Sequence, residues 1–485
     1  MTTESDTTEV QPVRAVRRTR RAATSEATLS PGMTAVVDGL PPGSNRTLAT
    51  APGRLDVLGA SADYLGSLVV NRPLARRVFV GVSPRDDGMV SIAAAGAPHT
   101  DGALRLPVSA LAHTNGNPTR VLQAIGLSDG GDAADTRRTV VGTLAEMWRD
   151  GMVSGMAGGF SIVLASELQG LTDVGHTASV AAATLVALAA LCRTTLDAAE
   201  ATRLCQRVEN QWLSWPVGPG DAACALGAES GTLARTCGET GRQVGSLSLP
   251  DNVVLLGIDS GASCPDAAVT YVRYRTAAFM GRALIERIMA HDPADAIPWE
   301  GYLSRIPEAA YVERFRDRIP TRLTGREFLD RFGETGDPLT RIDPDFVYKI
   351  RSRTEHHIYE HGRAHRFAEL IDRARADRDD EALRLAGEVM YASHWSYGQR
   401  CGLASIQTDL LVNLVRRCAD QDLVYGAKIT GRGCGGVVAV LMRDTDAAWT
   451  AIHTTLHTYE QKTGRTTSLL QGSHAGALRV GTRRV

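Results

Sequence analysis

The chain has 485 residues, of which 43% are hydrophobic and 22% charged, with 53 lysines and arginines against 54 aspartates and glutamates. That length is too great for one simple core and predicts two or more lobes. The near-neutral balance gives no field that would gather nucleic acid or an anionic membrane, and no apolar run is long enough to cross a bilayer. The eight cysteines include no C-x-x-C pair, which argues against a zinc site or a disulfide framework and for a reducing, cytoplasmic setting.

Residues 1–45 read as a disordered tail, polar at first and then carrying Arg14, Arg17, Arg18, Arg20 and Arg21 with no apolar stretch behind them; a secretion signal would need one. From 46 to 235, β-like runs such as RRVFVGV and GGFSIVLA alternate with glycine turns and with helices predicted at 178–192 and 197–213. NVVLLGIDSGA (252–262) reads as a strand stopped by a polar turn, and YVRYRTAAFMGRALIERIMA as the helix after it. Residues 296–390 are charge-rich and mostly helical, with solvated faces. Past 408, the helix TDLLVNLVRRCAD leads into YGAKITGRGCGGVVAVLM, a glycine-rich turn entering an apolar strand, and one more helix and strand follow. The pattern is α+β in two lobes, without a repeat of fixed period.

Four stretches carry candidate chemistry. In APGRLDVLGASADYLGSLVV (51–70), Arg54 enters a strand and Asp63 and Tyr64 sit on the loop leaving it. A carboxylate and a guanidinium beside glycine turns suit a polar small molecule, though an Arg–Asp surface pair would look the same. In DVGHTASVAAATLVALAAL (173–191), Gly175 permits close backbone approach, and Thr177 and Ser179 place hydroxyls where a helix opens, a position that favours phosphate or merely an N-cap. In SWPVGPGDAACALG (214–227), Asp221 follows a Pro–Gly loop, placed either to deprotonate a hydroxyl or to cap the next helix. KITGRGCGG (428–436) holds four glycines in six residues, so something approaches that backbone closely.

In order and spacing these stretches resemble the motifs of the GHMP sugar kinases, and within them the galactokinase branch and the L-arabinokinases. GRLDVLGASADY has the arabinokinase form, since galactokinases carry Glu-His where this chain has Ala60 and Ser61. CQRVENQ, LLGIDSG, AAFMGRALI, HHIYEHGR and YGAKITG extend the likeness from residue 46 to the end. The resemblance implies a two-lobed α+β fold: an N-terminal α/β lobe over 46–235 holding a nucleotide phosphate loop, and a ferredoxin-like C-terminal lobe over 236–485. It implies ATP as phosphoryl donor, Mg²⁺ as its ion and a small sugar as acceptor, with no nucleic acid or membrane partner. Asp221 matches the proposed base acting on the anomeric hydroxyl, and Arg54 the arginine paired with it. Asp63 and Tyr64 match the sugar-binding positions. Gly431, Gly433 and Gly435 match the third motif beside the phosphates, where Arg432 and Cys434 replace residues that are usually smaller or apolar.

The second motif departs from the family, which reads G-hydrophobic-S-S-S-A-A-hydrophobic-E. Here the gap-free alignment is Asp173 to Ala181, with Gly175, His176, Thr177 and Ser179 as phosphate-binding candidates. Ala181 stands where this alignment expects a glutamate for Mg²⁺, which leaves Thr177 as the candidate metal ligand; His176 is a poor one, because Mg²⁺ prefers hard oxygen. Three readings follow: an ATP-dependent sugar-1-kinase; a non-catalytic sugar-binding or regulatory protein on the same fold; and an enzyme repurposed for another acceptor. Trp212 and Trp215, near Asp221, would suit a changed pocket under the third reading but are expected in the core.

Overall fold

Twelve consecutive buried residues, Thr47–Leu58 (β1), form the strand around which the first lobe is built. The computed structural model describes residues 29–43, 45–96, 103–112, 117–127, 132–153, 158–292, 296–417 and 422–485. β1 pairs antiparallel with the long β2 (Leu68–Pro84). β3 (Met89–Ala94), β4 (Leu104–Pro107) and β5 (Gly159–Ser166) continue the sheet in the order β4–β3–β5–β2–β1, with the β3–β5 pair parallel. The hairpin of β6 (Leu233–Cys237) and β7 (Gln243–Leu247) joins the start of β2.

Order begins before residue 46. Helix α1 (Pro31–Asp38) is capped by the Ser30 hydroxyl and opens on a proline, both favourable at a helix start. Its Val36, with Leu40 just beyond it, packs against Phe79 and Val163 of the sheet. The expected tail therefore ends by residue 29; residues 1–28 and their five arginines lie outside the described residues.

Helices α2 (Asp132–Arg149) and α3 (His176–Cys192) pack together, and α3 lies against β1 and β2. Its alanines make it apolar and buried nearly all round, which removes the one-sided stripe that marks a surface helix. The helix expected at 197–213 is two pieces: α4 (Ala198–Arg207), then a wide π-turn over Val208–Trp212. Such turns commonly sit at functional sites. After the Pro–Gly loop, α5 (Gly220–Gly227) follows.

The second sheet opens with β8 (Val253–Asp259), followed by α6 (Ala267–His291) and a helical region that includes α7 (Ile350–Asp377), α8 (Asp380–Ser396) and α9 (Ile406–Arg417). β9 (Val424–Ile429), β10 (Val437–Arg443), α10 (Asp446–Thr463) and β11 (Ser468–Leu470) complete it. The order β9–β10–β8–β11 is antiparallel throughout, the ferredoxin-like arrangement with a long insertion after its first strand. The expected lobe boundary at 235/236 falls inside the β6–β7 hairpin, so the change of sheet comes between Leu247 and Val253. The last strand, β12 (Arg483–Arg484), returns to pair with β1 of the first sheet.

The lobes are joined through a buried ion pair. Lys428 Nζ of β9 lies 2.6 Å from Asp56 Oδ2 of β1, with both side chains fully buried. Beside it, Asp56 N donates to Thr430 Oγ1 at 2.5 Å.

Candidate active site

A cleft between the lobes is lined by Arg54, the loop 170–177, Glu209, Trp215, Asp221 and Arg432, among others. At its base Arg54 makes a two-pronged pair with Asp221: Nε to Oδ1 at 2.7 Å and Nη2 to Oδ2 at 2.5 Å. Residues 167 positions apart meet because Arg54 lies mid-strand in β1 and Asp221 in the first turn of α5. Asp221 does not cap α5, whose N-cap is Pro219. The arginine side chain is 3% exposed and the aspartate 18%, so the pair is shielded but open on the carboxylate side. Burial works against the Arg54 charge, yet the charge and hydrogen bonds of Asp221 outweigh it and raise the guanidinium pKa.

Gly175 sits against this pair. It begins α3 with φ of 74° and no side-chain cap; an added Cβ would lie 3.2 Å from Arg54 Cγ and 3.8 Å from Asp221 Oδ2. The first amides of α3 have no acceptors in earlier helical turns, and they bring the positive end of the helix dipole to the cleft. His176 and Thr177 line it. Ser179 does not: its hydroxyl donates to Pro52 O and Gly175 O, both at 2.8 Å, pinning the helix start to β1.

Glu209 is the residue that the sequence reading missed. It lies on the π-turn, 3% exposed. Oε1 accepts from Thr177 Oγ1 at 2.7 Å, while Oε2 is buried without a hydrogen-bond partner. Burial, with the Asp221 charge added, pushes its pKa up to about 7, against the pull of the Thr177 bond. Ala181, the position to which the gap-free alignment gave the metal-binding role, is fully buried in the apolar core. A carboxylate does reach Thr177, at the start of the same helix, from another element. An orphaned hard oxygen beside Asp221 and Thr177 fits Mg²⁺, which takes one or two carboxylates and fills the rest of its shell with water and phosphate. Among the described residues no group of three or more His, Cys, Asp or Glu could hold a metal, so this is not an all-protein cage. The signal in the sequence was a glutamate set between Val208 and Trp212, both buried, just ahead of the Pro–Gly loop.

The other candidates lie around this centre. Asp63 is under the 217–220 loop, accepting from Gly220 N at 3.0 Å, with Oδ1 buried and unpartnered; burial raises its pKa to about 8. Tyr64 is in a neighbouring depression with Arg275 stacked 4.3 Å from its ring centre. Gly431, Gly433 and Gly435 all have positive φ, and what approaches the backbone here is protein. A Cβ on Gly431 would meet Asp173 O at 2.7 Å, and one on Gly433 would meet Leu403 O at 2.3 Å. From that turn it is Arg432 that lines the cleft. Trp212 is core, as expected, with Nε1 donating to Glu146 at 3.2 Å. Trp215 instead lines the cleft, because Arg432 stacks on it at 4.0 Å.

The comparisons give a domain and a fold: residues 138–228 match the GHMP kinases N terminal domain, and the fold is that of solved galactokinase and mevalonate kinase structures. More particularly, 90% of the chain is 28% identical to L-arabinokinase of Arabidopsis thaliana, and it spans 46%, about half, of that protein's length. Lactococcus lactis galactokinase complexed with galactose superposes with a TM-score of 0.66 at 17% identity, over 93% of this chain and 98% of that one. Methanococcus jannaschii mevalonate kinase gives 0.53 at 13% identity, over 92% and 100%.

Proposed function

We propose that this protein is an ATP-dependent kinase that phosphorylates the anomeric hydroxyl of a monosaccharide like L-arabinose or galactose, or of a sugar-like intermediate. The observation that carries this reading is the Arg54–Asp221 pair set against the glycine-led, uncapped start of α3. Phosphoryl transfer asks for positioning and charge stabilisation rather than covalent chemistry from the protein. Asp221 accepts the proton of the sugar hydroxyl as its oxygen bonds to the terminal phosphorus and ADP leaves. Arg54 orients that carboxylate through both oxygens and offers positive charge to the transferring group. Glu209 and Thr177, with Asp221, would hold Mg²⁺, and the ion when bound neutralises phosphate charge. Asp63 would take a sugar hydroxyl from below the 217–220 loop, with Tyr64 beside it.

The test is ADP release across a panel of pentoses and hexoses, with Mg²⁺ and with EDTA. The reading expects sugar-dependent, metal-dependent release with at least one aldose. Binding of sugar with no ADP release under any condition would overturn it.

A further inference from the structure

The turn at 430–436 needs its glycines for packing, but nothing in its conformation calls for the arginine between them. The Arg432 side chain is 28% exposed and makes two defined contacts. Nε donates to Asp173 Oδ1 at 3.1 Å, and the guanidinium carbon stands 4.0 Å from the centre of the Trp215 ring. A salt link on one edge and a stack on one face fix the plane of the group. Among the described residues its two Nη nitrogens, four N–H donors, have no hydrogen-bond acceptor.

Asp173 holds a second guanidinium as well. Its carboxylate takes Arg432, and its backbone carbonyl accepts from Arg54 Nη1. The residue has φ of 58°, an uncommon conformation for a side-chain-bearing residue, maintained here by what it binds. The cleft thus contains two linked arginines. One is satisfied by Asp221, and the outer donors of the other meet no acceptor among the described residues.

We infer that Arg432 is a phosphate-binding residue for the terminal phosphoryl group of a nucleoside triphosphate, with Asp173 and Trp215 as its positioning residues. The inference rests on the kinase reading above and adds the source of discrimination between triphosphate and diphosphate. A planar guanidinium with its two Nη nitrogens matches a pair of phosphate oxygens. The phosphate placed between it and the first amides of α3 would lie beside the Arg54–Asp221 pair, where transfer occurs. A positive charge held in place there stabilises the charge that develops on the moving group.

The experiment is calorimetric titration of ATP and of ADP, each with Mg²⁺, into the wild-type protein, Arg432→Ala and Arg432→Lys, with melting curves as a check of fold. Wild type is expected to bind ATP more tightly than ADP. Arg432→Ala is expected to weaken ATP by about tenfold or more while ADP changes by about twofold or less, since a charged hydrogen-bonded contact of this kind is lost from one ligand only. Arg432→Lys, which keeps the charge without the fork, should fall between them, and it carries the test if the alanine variant does not fold. Equal weakening of both nucleotides, or unchanged binding of both by a folded variant, overturns the inference while leaving the kinase reading in place. Absence of nucleotide binding by the wild type overturns both.

Discussion

The hydroxyl of Thr177, in the first turn of α3, donates to Oε1 of Glu209 on the π-turn at 2.7 Å, leaving Oε2 of the same carboxylate buried and unpartnered. Glu209→Gln keeps the shape and one acceptor but removes the charge. Turnover should fall by about a hundredfold, the usual scale for losing one transition-state contact, and the Mg²⁺ concentration for half-maximal rate should rise. Thr177→Val should do the same more weakly. ADP release measured against Mg²⁺ concentration checks both.

Asp221→Asn should remove turnover while leaving the fold in place. The amide oxygen still accepts from Arg54, but it cannot take a proton, and general-base contributions run to about 10²–10⁴-fold. Its melting temperature should stay closer to wild type than that of Asp221→Ala, which leaves the 3% exposed Arg54 side chain without its carboxylate. Unchanged ADP release in the asparagine variant would remove Asp221 as the base.

Lys428→Met breaks the pair with Asp56 in a site that is fully buried on both sides. One stranded charge should cost about 3–5 kcal/mol, whereas the double change Asp56→Asn with Lys428→Met should cost much less. Urea unfolding of the two single variants and the double variant measures the difference.

Asp63 gives stability a pH dependence of definite sign. Its carboxyl titrates near 8 in the folded protein because it is buried, against the ordinary value of about 4 in the unfolded chain. Between those values the folded state holds a proton that the unfolded state has lost, so this group's contribution is full below about pH 4 and declines as pH rises to 8. Asp63→Asn, which keeps an acceptor for Gly220 N, should flatten that part of the curve. Melting temperatures of the two proteins from pH 5 to 9 should converge toward the acid end.

Much of the centre was legible in the sequence because its residues sit in short, punctuated stretches. Asp221 follows a Pro–Gly loop and Arg54 follows Pro52 and Gly53, which the structure shows within strand β1 and not in a turn, and the structure brings the two together. Glu209 was not legible in the same way. Its partner Thr177 lies 32 positions earlier, and it occupies a widened turn that helical periodicity renders as one unbroken helix. Reading the second motif as self-contained then put the metal oxygen at Ala181, which faces the core. Ser179 and the three glycines of the 430–436 turn look like ligand contacts in sequence, and they bond or pack against protein. Composition alone does not say whether a close approach to backbone comes from a ligand or from the neighbouring loop.

The Asp56–Lys428 pair and the adjoining Thr430 contact also bear on how the cleft can move. Sliding one lobe over the other would pull a fully buried ammonium from its carboxylate and break the Asp56 N to Thr430 bond in the same stroke. Relative sliding of the lobes is therefore the expensive coordinate. The two contacts thus act as a weld across the seam, so the walls of the cleft keep their spacing whether or not anything occupies it.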